Sequence, residues 1–388
     1  MFRRDAVCLA KERAARAELR HGPDPTFPIR PTAPKRPLSS FSMRPDRRTC
    51  VHVLLLIVLT ALVFSNMLRY DYHLDSIYRV ADNTEIDRIW PPWRFFTDPR
   101  TASTVRRIVD YRPMMPLSHA VDVALAKRLG IGRLTGFHLG NITIHVATSI
   151  LLYLLFRELM IHYSRIAATR SRHCDLAFAT ALLFAVHPVS GVPVNYIAGR
   201  DLLLMMLFLT AAMLVYARMR RRTESVGGWC AVLALLALSL LSKTNAMVAF
   251  GLVLAFELVL AGAAVRDWRP WARTGGVGAL GGIFAWLNLR LGDSASGLRS
   301  MDMASVLDYP LTQLDLHLFY YVRNFVWPFQ MRAQPRIERV TDFLDVGAIV
   351  GAAFVLATLV LAWYFRRRCP LAAFSILAYW ILFAVTSS

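Results

Sequence analysis

Acid is scarce in this chain. It has 26 aspartates and glutamates against 45 lysines and arginines, a formal net charge of +19. Such an excess can mark a nucleic-acid binder, but here the basic residues cluster in short segments between hydrophobic runs. That pattern belongs to membrane proteins with basic cytoplasmic loops, and it points to anionic headgroups as the charge partner. Cysteine is also scarce. Cys8, Cys50, Cys174, Cys230 and Cys369 are the five, and no two have zinc or redox spacing. The topology below puts each in the cytoplasm or at a cytoplasmic helix end, so no disulfide is expected on the outer face. No His/Cys/Asp/Glu spacing suggests a metal, and no cofactor is implied. A phosphate loop of the G-x-x-x-x-G-K type is missing, as is any 34-residue repeat.

Apolar sequence is abundant. Hydrophobic residues make up 56% of the chain and the mean hydropathy is +0.41. Several runs approach or exceed the ~18–20 residues that span hydrocarbon. These features predict an all-α polytopic membrane protein. Residues 1–49, rich in Arg and Pro, read as a disordered basic cytoplasmic tail. The tail has no apolar core and so is no signal peptide. Met43, just before Arg44-Pro-Asp-Arg-Arg48, is a candidate start. Residues 50–388 form the membrane domain.

Basic loops set the threading. The tail fixes the N-terminus inside, before a span over 51–68. A long loop, 69–133, lies outside. Spans over 134–157, 175–194, 200–217, 229–243 and 246–264 follow, with arginines after the second, fourth and sixth. A glycine-rich span covers 275–290, and outer segment 291–344 comes next. Within it, Leu311, Leu314, Leu318, Tyr321, Val322 and Phe325 share one helix face, away from Gln313, His317, Tyr320, Arg323 and Asn324. A crossing there would put Arg366-Arg367-Arg368 outside, so the charge rule favours a helix flat on the outer surface. A second surface helix has Leu117, Val121, Leu125 and Leu129 opposite Asp122, Lys127 and Arg128. With final spans over 345–365 and 371–386, the expectation is about nine crossings and two amphipathic outer helices.

His138, Asn141 and His145 fall within one narrow arc of span two, continued by Thr148. Imidazoles and amides are costly in hydrocarbon, so this stripe must face protein or a water-filled cavity. It reads either as interhelical hydrogen-bond glue or as the wall of a site. Two surface helices and two tight polar turns, at His187-Pro188 and Ser242-Lys243-Thr244-Asn245, share its outer face. That concentration favours an outward-facing site.

Asp71 follows span one directly, within Arg69-Tyr70-Asp71-Tyr72-His73-Leu74-Asp75. A carboxylate at the mouth of a membrane cavity can take a proton from a hydroxyl. Asp82, Glu85, Asp87, Asp98 and Asp110 share the loop as ordinary solvated acids. Arg112, Arg200, Lys243 and Arg323 are outer-face cations beside apolar segments. They suit a lipid phosphate; the bland alternative is snorkelling to headgroups.

At these residues the chain resembles the membrane domain of the transmembrane and tetratricopeptide-repeat O-mannosyltransferases and their bacterial relatives. The matching pieces are Tyr70-Asp71 after span one, Tyr111-Arg-Pro, Gly136-Phe-His-Leu-Gly-Asn-Ile-Thr-Ile-His145 and Phe184-Ala-Val-His-Pro. Gly199-Arg200-Asp201, Leu241-Ser-Lys243 and Tyr320-Tyr-Val-Arg323 with Trp327-Pro328 complete the set. These are glycosyltransferases of the GT-C fold. The resemblance implies a GT-C-like helical bundle, a polyprenyl-phosphate-linked sugar donor and an acceptor hydroxyl on a protein or glycan. It also implies transfer on the outer face with inversion. Membrane lipids would be partners and nucleic acid would not.

On this resemblance Asp71 is the acid/base position, with Asp75 its fallback. Arg112, Arg200, Lys243 and Arg323 are the donor-phosphate set, and His138, Asn141, His145, His187 and Tyr320 line the cavity. The implied home is the bacterial inner membrane, or the endoplasmic reticulum in a eukaryote. Three positions depart from the family pattern: Tyr72 stands for a second aspartate, and Val192 and Thr244 stand for glutamates. The alternative is a non-catalytic polyprenyl-lipid-binding or scaffold protein of the same fold. The chain stops at Ser388 where relatives continue, so a C-terminal portion is expected to be missing.

Overall fold

The computed structural model describes residues 46–105, 111–291, 303–329 and 337–384. The expected tail falls almost wholly outside them, as does Asp110. Every regular element among the described residues is helical. The longer helices are α1 (Arg47–Phe64), α2 (Met114–Leu129), α3 (Arg133–Tyr163), α4 (Arg170–Val186) and α5 (Arg200–Arg221). They continue with α6 (Val226–Ser242), α7 (Ala249–Ala255), α8 (Trp268–Leu291), α9 (Met303–Leu316), α10 (Val346–Phe365) and α11 (Pro370–Ala384).

Local chemistry sets the ends. Thr169, Ser225 and Asp345 each accept a backbone N–H in the first turn of α4, α6 and α10, satisfying donors that the helix itself leaves unpaired. α4 stops at His187 because Pro188 disfavours helical backbone before it. α2 ends on Gly130 at φ 66°, the left-handed turn that glycine adopts most cheaply.

Four helical stretches are long and apolar enough to cross a membrane: Arg47–Arg69, Arg133–Tyr163, Ile197–Arg221 and Val346–Phe365. The pair Arg170–Val186 and Pro188–Asn195, bent by 52°, makes a fifth if counted as one span. The expected nine crossings therefore stand at four or five on length and composition. Val226–Ser242, Thr244–Leu260 and Pro370–Ala384 are apolar but shorter. The chain is an integral membrane protein.

The core is built where helices can approach closely. Leu56 of α1 and Tyr153 of α3 pack on Ala177, Ala181 and Ala185 of α4, all fully buried. Small residues every fourth position let backbones come together where hydrocarbon offers no hydrophobic drive. A larger core joins α3, α5, α6 and α7 through Leu159, Met213, Tyr216, Val232, Leu236 and Phe256.

Acid–base contacts tie the arginine-bearing helix ends into one face of the bundle, here the basic end. Arg48 of α1 meets Asp175 of α4 at 3.0 Å. Arg221 of α5 meets Glu158 of α3 at 2.7 Å. Glu257 accepts from Arg220 at 2.5 Å and from Arg273 of α8 at 2.9 Å. Arg165 donates to the Arg367 carbonyl beyond α10, so the triple arginine shares this face.

The two amphipathic helices sit opposite to a soluble protein's habit. On α2 the stripe Val121, Leu125 and Leu129 is exposed, while Asp122 turns into the protein. In the segment after α9, Tyr321 and Phe325 are exposed and His317 and Asn324 are buried. Asp122, His317 and Asn324 thus face protein, while Lys127, Arg128 and Arg323 stay exposed beside the apolar side chains.

Candidate functional site

The polar stripe of α3 is the frame. His138, Asn141 and His145 are fully buried, and each binds a backbone group of another segment. His138 Nε2 donates to the Tyr70 carbonyl at 3.0 Å. Asn141 Nδ2 donates to Val194 at 3.0 Å and His145 Nε2 to Ala185 at 2.9 Å. They line no open space, so the expected cavity wall is instead a packed polar seam. The physical reason is that chain ends and turns near α3 carry orphan carbonyls, and these side chains satisfy them. His138 Nδ1 is buried and has no partner among the described residues.

The seam holds the turn that enters α5. Gly199 packs so closely that a Cβ there would meet the Tyr196 ring at 3.1 Å and the Pro193 carbonyl at 3.3 Å. Arg200 has no exposed surface. Its Nε donates to Asn141 Oδ1 at 2.7 Å, its Nη2 to the Phe137 carbonyl at 2.6 Å, and its Nη1 to Asp122 of α2. The expectation that Arg200 is an outer-face cation for the donor phosphate is therefore corrected. A guanidinium with these three partners and no access is a clamp between α2, α3 and α5. Burial pushes the Asp122 carboxyl up, against the pull of Arg200. Gly140 makes the clamp possible, because a Cβ there would run into Asp122 and Arg200.

The next residue does the gathering. Asp201 Oδ2 accepts from Arg112 Nη1 at 2.6 Å and from Lys243 Nζ at 3.0 Å. The Asp201 side chain is 4% exposed, while those of Arg112 and Lys243 are 23% and 24% exposed. Three segments far apart in sequence thus present two cations around one submerged anion. Sequence reasoning named both cations and missed Asp201. Its signal was its place beside Arg200 in Gly199-Arg200-Asp201.

The loop after α1 lies against the same seam. Asp71 follows Tyr70, whose carbonyl His138 holds. Asp71 is exposed, and its Oδ1 accepts from the Tyr72 amide at 2.7 Å. The His73 ring lies 5.6 Å from that of Tyr196. Asp75 stands 3.7 Å from Arg79, and burial plus the Asp75 charge push the Tyr196 hydroxyl up to about 12. His187 accepts from the Val189 amide at Nδ1 and donates from Nε2 to the Phe325 carbonyl at 2.9 Å, its ring stacked on Phe325. Arg323, exposed, and Tyr320, half-buried, sit on the segment thus pinned to the His187 turn.

Beside the clamp an apolar groove of about 430 Å³ runs between α2, α3 and α5. Met114, Leu117, Val121, Leu139, Ile144 and Leu204 line it with Asp122, and the inaccessible Arg200 lies directly behind that wall. Met114 is two residues past Arg112, so the groove begins next to the cation pair. No metal-like group of His, Cys, Asp and Glu occurs among the described residues.

Known proteins share parts of this chain. Over 211 residues, 54% of the chain, it is 24% identical to the protein O-mannosyl-transferase F38B6.6 of Caenorhabditis elegans, covering 28% of that protein. Over 164 residues, 39% of the chain, it is 30% identical to human protein O-mannosyl-transferase TMTC4, covering 21% of it. The chain is thus similar, at low identity, to proteins named as protein O-mannosyltransferases. Mouse protein O-mannosyl-transferase TMTC3 is 25% identical over 214 residues, 54% of the chain and 22% of that relative. The chain thus spans under a third of the length of these curated relatives. No protein-family model matches it, and no solved structure does.

Proposed function

We propose that this protein is a membrane glycosyltransferase of the GT-C type, moving a sugar from a polyprenyl-phosphate donor to an acceptor hydroxyl at the loop end. The single observation that carries this is the convergence of Arg112 and Lys243 on buried Asp201. A carboxylate sunk between two cations fixes both in place while leaving a positive face. A donor phosphate gains charge as its bond to the sugar breaks, and preorganised cations stabilise that charge best in the transition state. Arg offers a planar fork and Lys a point charge, a pairing suited to phosphate oxygens. Arg323 is the third candidate cation.

The adjoining groove supports a lipid-linked donor. Its apolar walls suit a polyprenyl chain whose phosphate rests at Arg112 and Lys243. Asp71 takes the proton of the acceptor hydroxyl as that oxygen attacks the sugar carbon from the face opposite the phosphate. The hold of His138 on Tyr70 positions this acid. Asp75 is the fallback, and its ion pair with Arg79 makes it the weaker base. The loop end faces away from the cytoplasm on this reading, because the arginines gather at the opposite end.

The test is a transfer assay on purified protein with radiolabelled polyprenyl-phosphate sugars. Asp71→Asn keeps the shape but takes no proton, and should cut turnover on the order of 10²–10⁴-fold with donor binding intact. Normal turnover in both Asp71→Asn and Asp75→Asn would sink the mechanism. A second reading draws on Val192 and Thr244, which stand where the family resemblance implies acids. It is a lipid-binding member that does no chemistry; donor binding with no transfer by wild type would establish it.

A further inference from the structure

A second groove lies at the basic end, away from the site above. It has a volume of about 420 Å³ and lies between α6 and α8. Trp229 and Leu233 form the α6 side, and Trp268, Arg269, Ala272 and Gly276 the α8 side. Glu224 and Arg273 also line it, and with Glu257 and Arg220 they form a balanced ion cluster, two acids against two arginines. Tyr216 adds a hydrogen bond to Glu257 at 2.7 Å.

Arg269 stands one helical turn before Arg273 and is outside this balance. Its guanidinium has no acid partner among the described residues; only its backbone N–H is engaged, by Asp267 at 3.1 Å. Arg266 and Asp267 add one charge of each sign just before α8, so this region keeps one positive charge in excess among the residues named. The floor is apolar and low: a Cβ at Gly276 would meet nothing within 4 Å. Trp268 is largely exposed at the rim. Tryptophan favours the headgroup level of a bilayer, where one edge is wet and the rest apolar. One cation, two indoles and a smooth apolar floor match the parts of a phospholipid in order: phosphate, glycerol esters, acyl chain.

We propose that this groove holds one anionic phospholipid of the leaflet at the basic end. Its phosphate rests on Arg269, its glycerol lies between Trp229 and Trp268, and one acyl chain runs along Leu233, Ala272 and Gly276. Charge complementarity picks an anionic headgroup over a zwitterionic one, since an arginine at a membrane surface attracts net negative charge. The lipid would fill the gap between α6 and α8 and brace the Glu257 cluster. The site is independent of the transfer reaction.

The experiment is native mass spectrometry of the full chain released from nanodiscs of mixed phosphatidylcholine and phosphatidylglycerol. Wild type should retain phosphatidylglycerol preferentially. Arg269→Gln should lower that retention roughly fivefold, the ratio corresponding to about 1 kcal/mol per surface arginine. Gly276→Leu, which fills the floor without touching charge, should lower it as well. Arg367→Gln, at the same end but outside the groove, should leave it unchanged. Equal retention of the two lipids by wild type would overturn the proposal. So would phosphatidylglycerol retention unaffected by Gly276→Leu, since the lipid would then sit on a surface patch. Displacement of the lipid by inorganic phosphate at equal occupancy would show an anion site with no lipid selectivity, and would overturn it too.

Discussion

The two ends of this bundle use the same residue types in opposite proportions. At the basic end, acids are the minority and each is surrounded: Glu257 by two arginines and a tyrosine, Glu158 by Arg221 and Arg218, Asp175 by Arg48. There the acid staples helices together and the spare arginines mark a membrane face. At the loop end, Asp122 and Arg200 form one buried, balanced pair, and Asp201 is shared by two cations that stay partly open. A cluster that balances its charges serves the fold. On the proposed function, the Asp201 cluster keeps its cationic face for a ligand, whereas the arginines around Glu158 serve the membrane face. On the proposed function the contrast sets structural charge against charge kept for a ligand, and it can be broken in several ways.

The largest effect is expected from the acid at the centre of the basic end. Glu257 is fully buried, so Glu257→Gln puts a neutral amide at the centre of the cluster and leaves Glu224 as the one acid facing both Arg220 and Arg273. Removing one partner of a buried ion pair typically costs ~3–5 kcal/mol. Thermal unfolding in detergent should show a large fall in Tm, while donor binding per folded molecule stays near wild type. A small change in Tm would remove the structural half of the contrast.

Much of this was legible in the sequence, and the misses have a common cause. Helical segments and the two surface helices follow from hydropathy and period. The gathering of basic ends follows from charge alternation. The polar stripe of α3 was visible, yet its role was not: period tells which residues share a face and says nothing of what that face meets. His138, Asn141 and His145 meet backbone carbonyls. For the same reason Arg200 read as a surface cation, because its partner Asp122 is 78 residues away on a helix whose apolar stripe suggested the reverse orientation. Asp201 was hidden by its neighbour's charge. Pairings across long sequence separations are what a single sequence does not display.

The next effect concerns the open pair. Lys243→Met removes one cation but leaves Asp201 bonded to Arg112. A charged hydrogen bond is worth ~1.5–3 kcal/mol, so polyprenyl-phosphate binding should weaken about tenfold or more. Stability should hardly move, because Lys243 is a quarter exposed and its acid keeps a partner. Equilibrium binding of a labelled polyprenyl phosphate measures the first, and the unfolding midpoint the second. A large stability loss with unchanged binding would place this cluster with the structural ones.

A backbone position sharpens the comparison further. At Gly140, alanine would press on Asp122 and Arg200 at once. Arg200 is locked by three bonds, so α2 must shift away from α3. Overpacking of this kind costs ~1–3 kcal/mol. Gly275, on α8, has nothing within 4 Å of a Cβ, and Gly275→Ala should be neutral or stabilising by up to ~1 kcal/mol through helix propensity. If the two alanines lowered Tm equally, the close approach at Gly140 would not be what holds the clamp.

The smallest effect lies at the rim of the basic end. Arg48 and Asp175 meet at 3.0 Å, yet their side chains are 43% and 53% exposed. His52 stands 3.5 Å from the same carboxylate. Water screens such a pair, and exposed pairs usually contribute ~0.2–1 kcal/mol. Asp175→Asn should therefore lower stability by less than about 1 kcal/mol, and high salt should erase most of the difference. The variant shares a residue type and a bundle end with Glu257→Gln and differs from it in burial. Unfolding both in low and high salt isolates that variable: only the Asp175 difference should vanish with salt. If Asp175→Asn proved as costly as Glu257→Gln, and stayed so in salt, burial would not be what ranks the acids at this end.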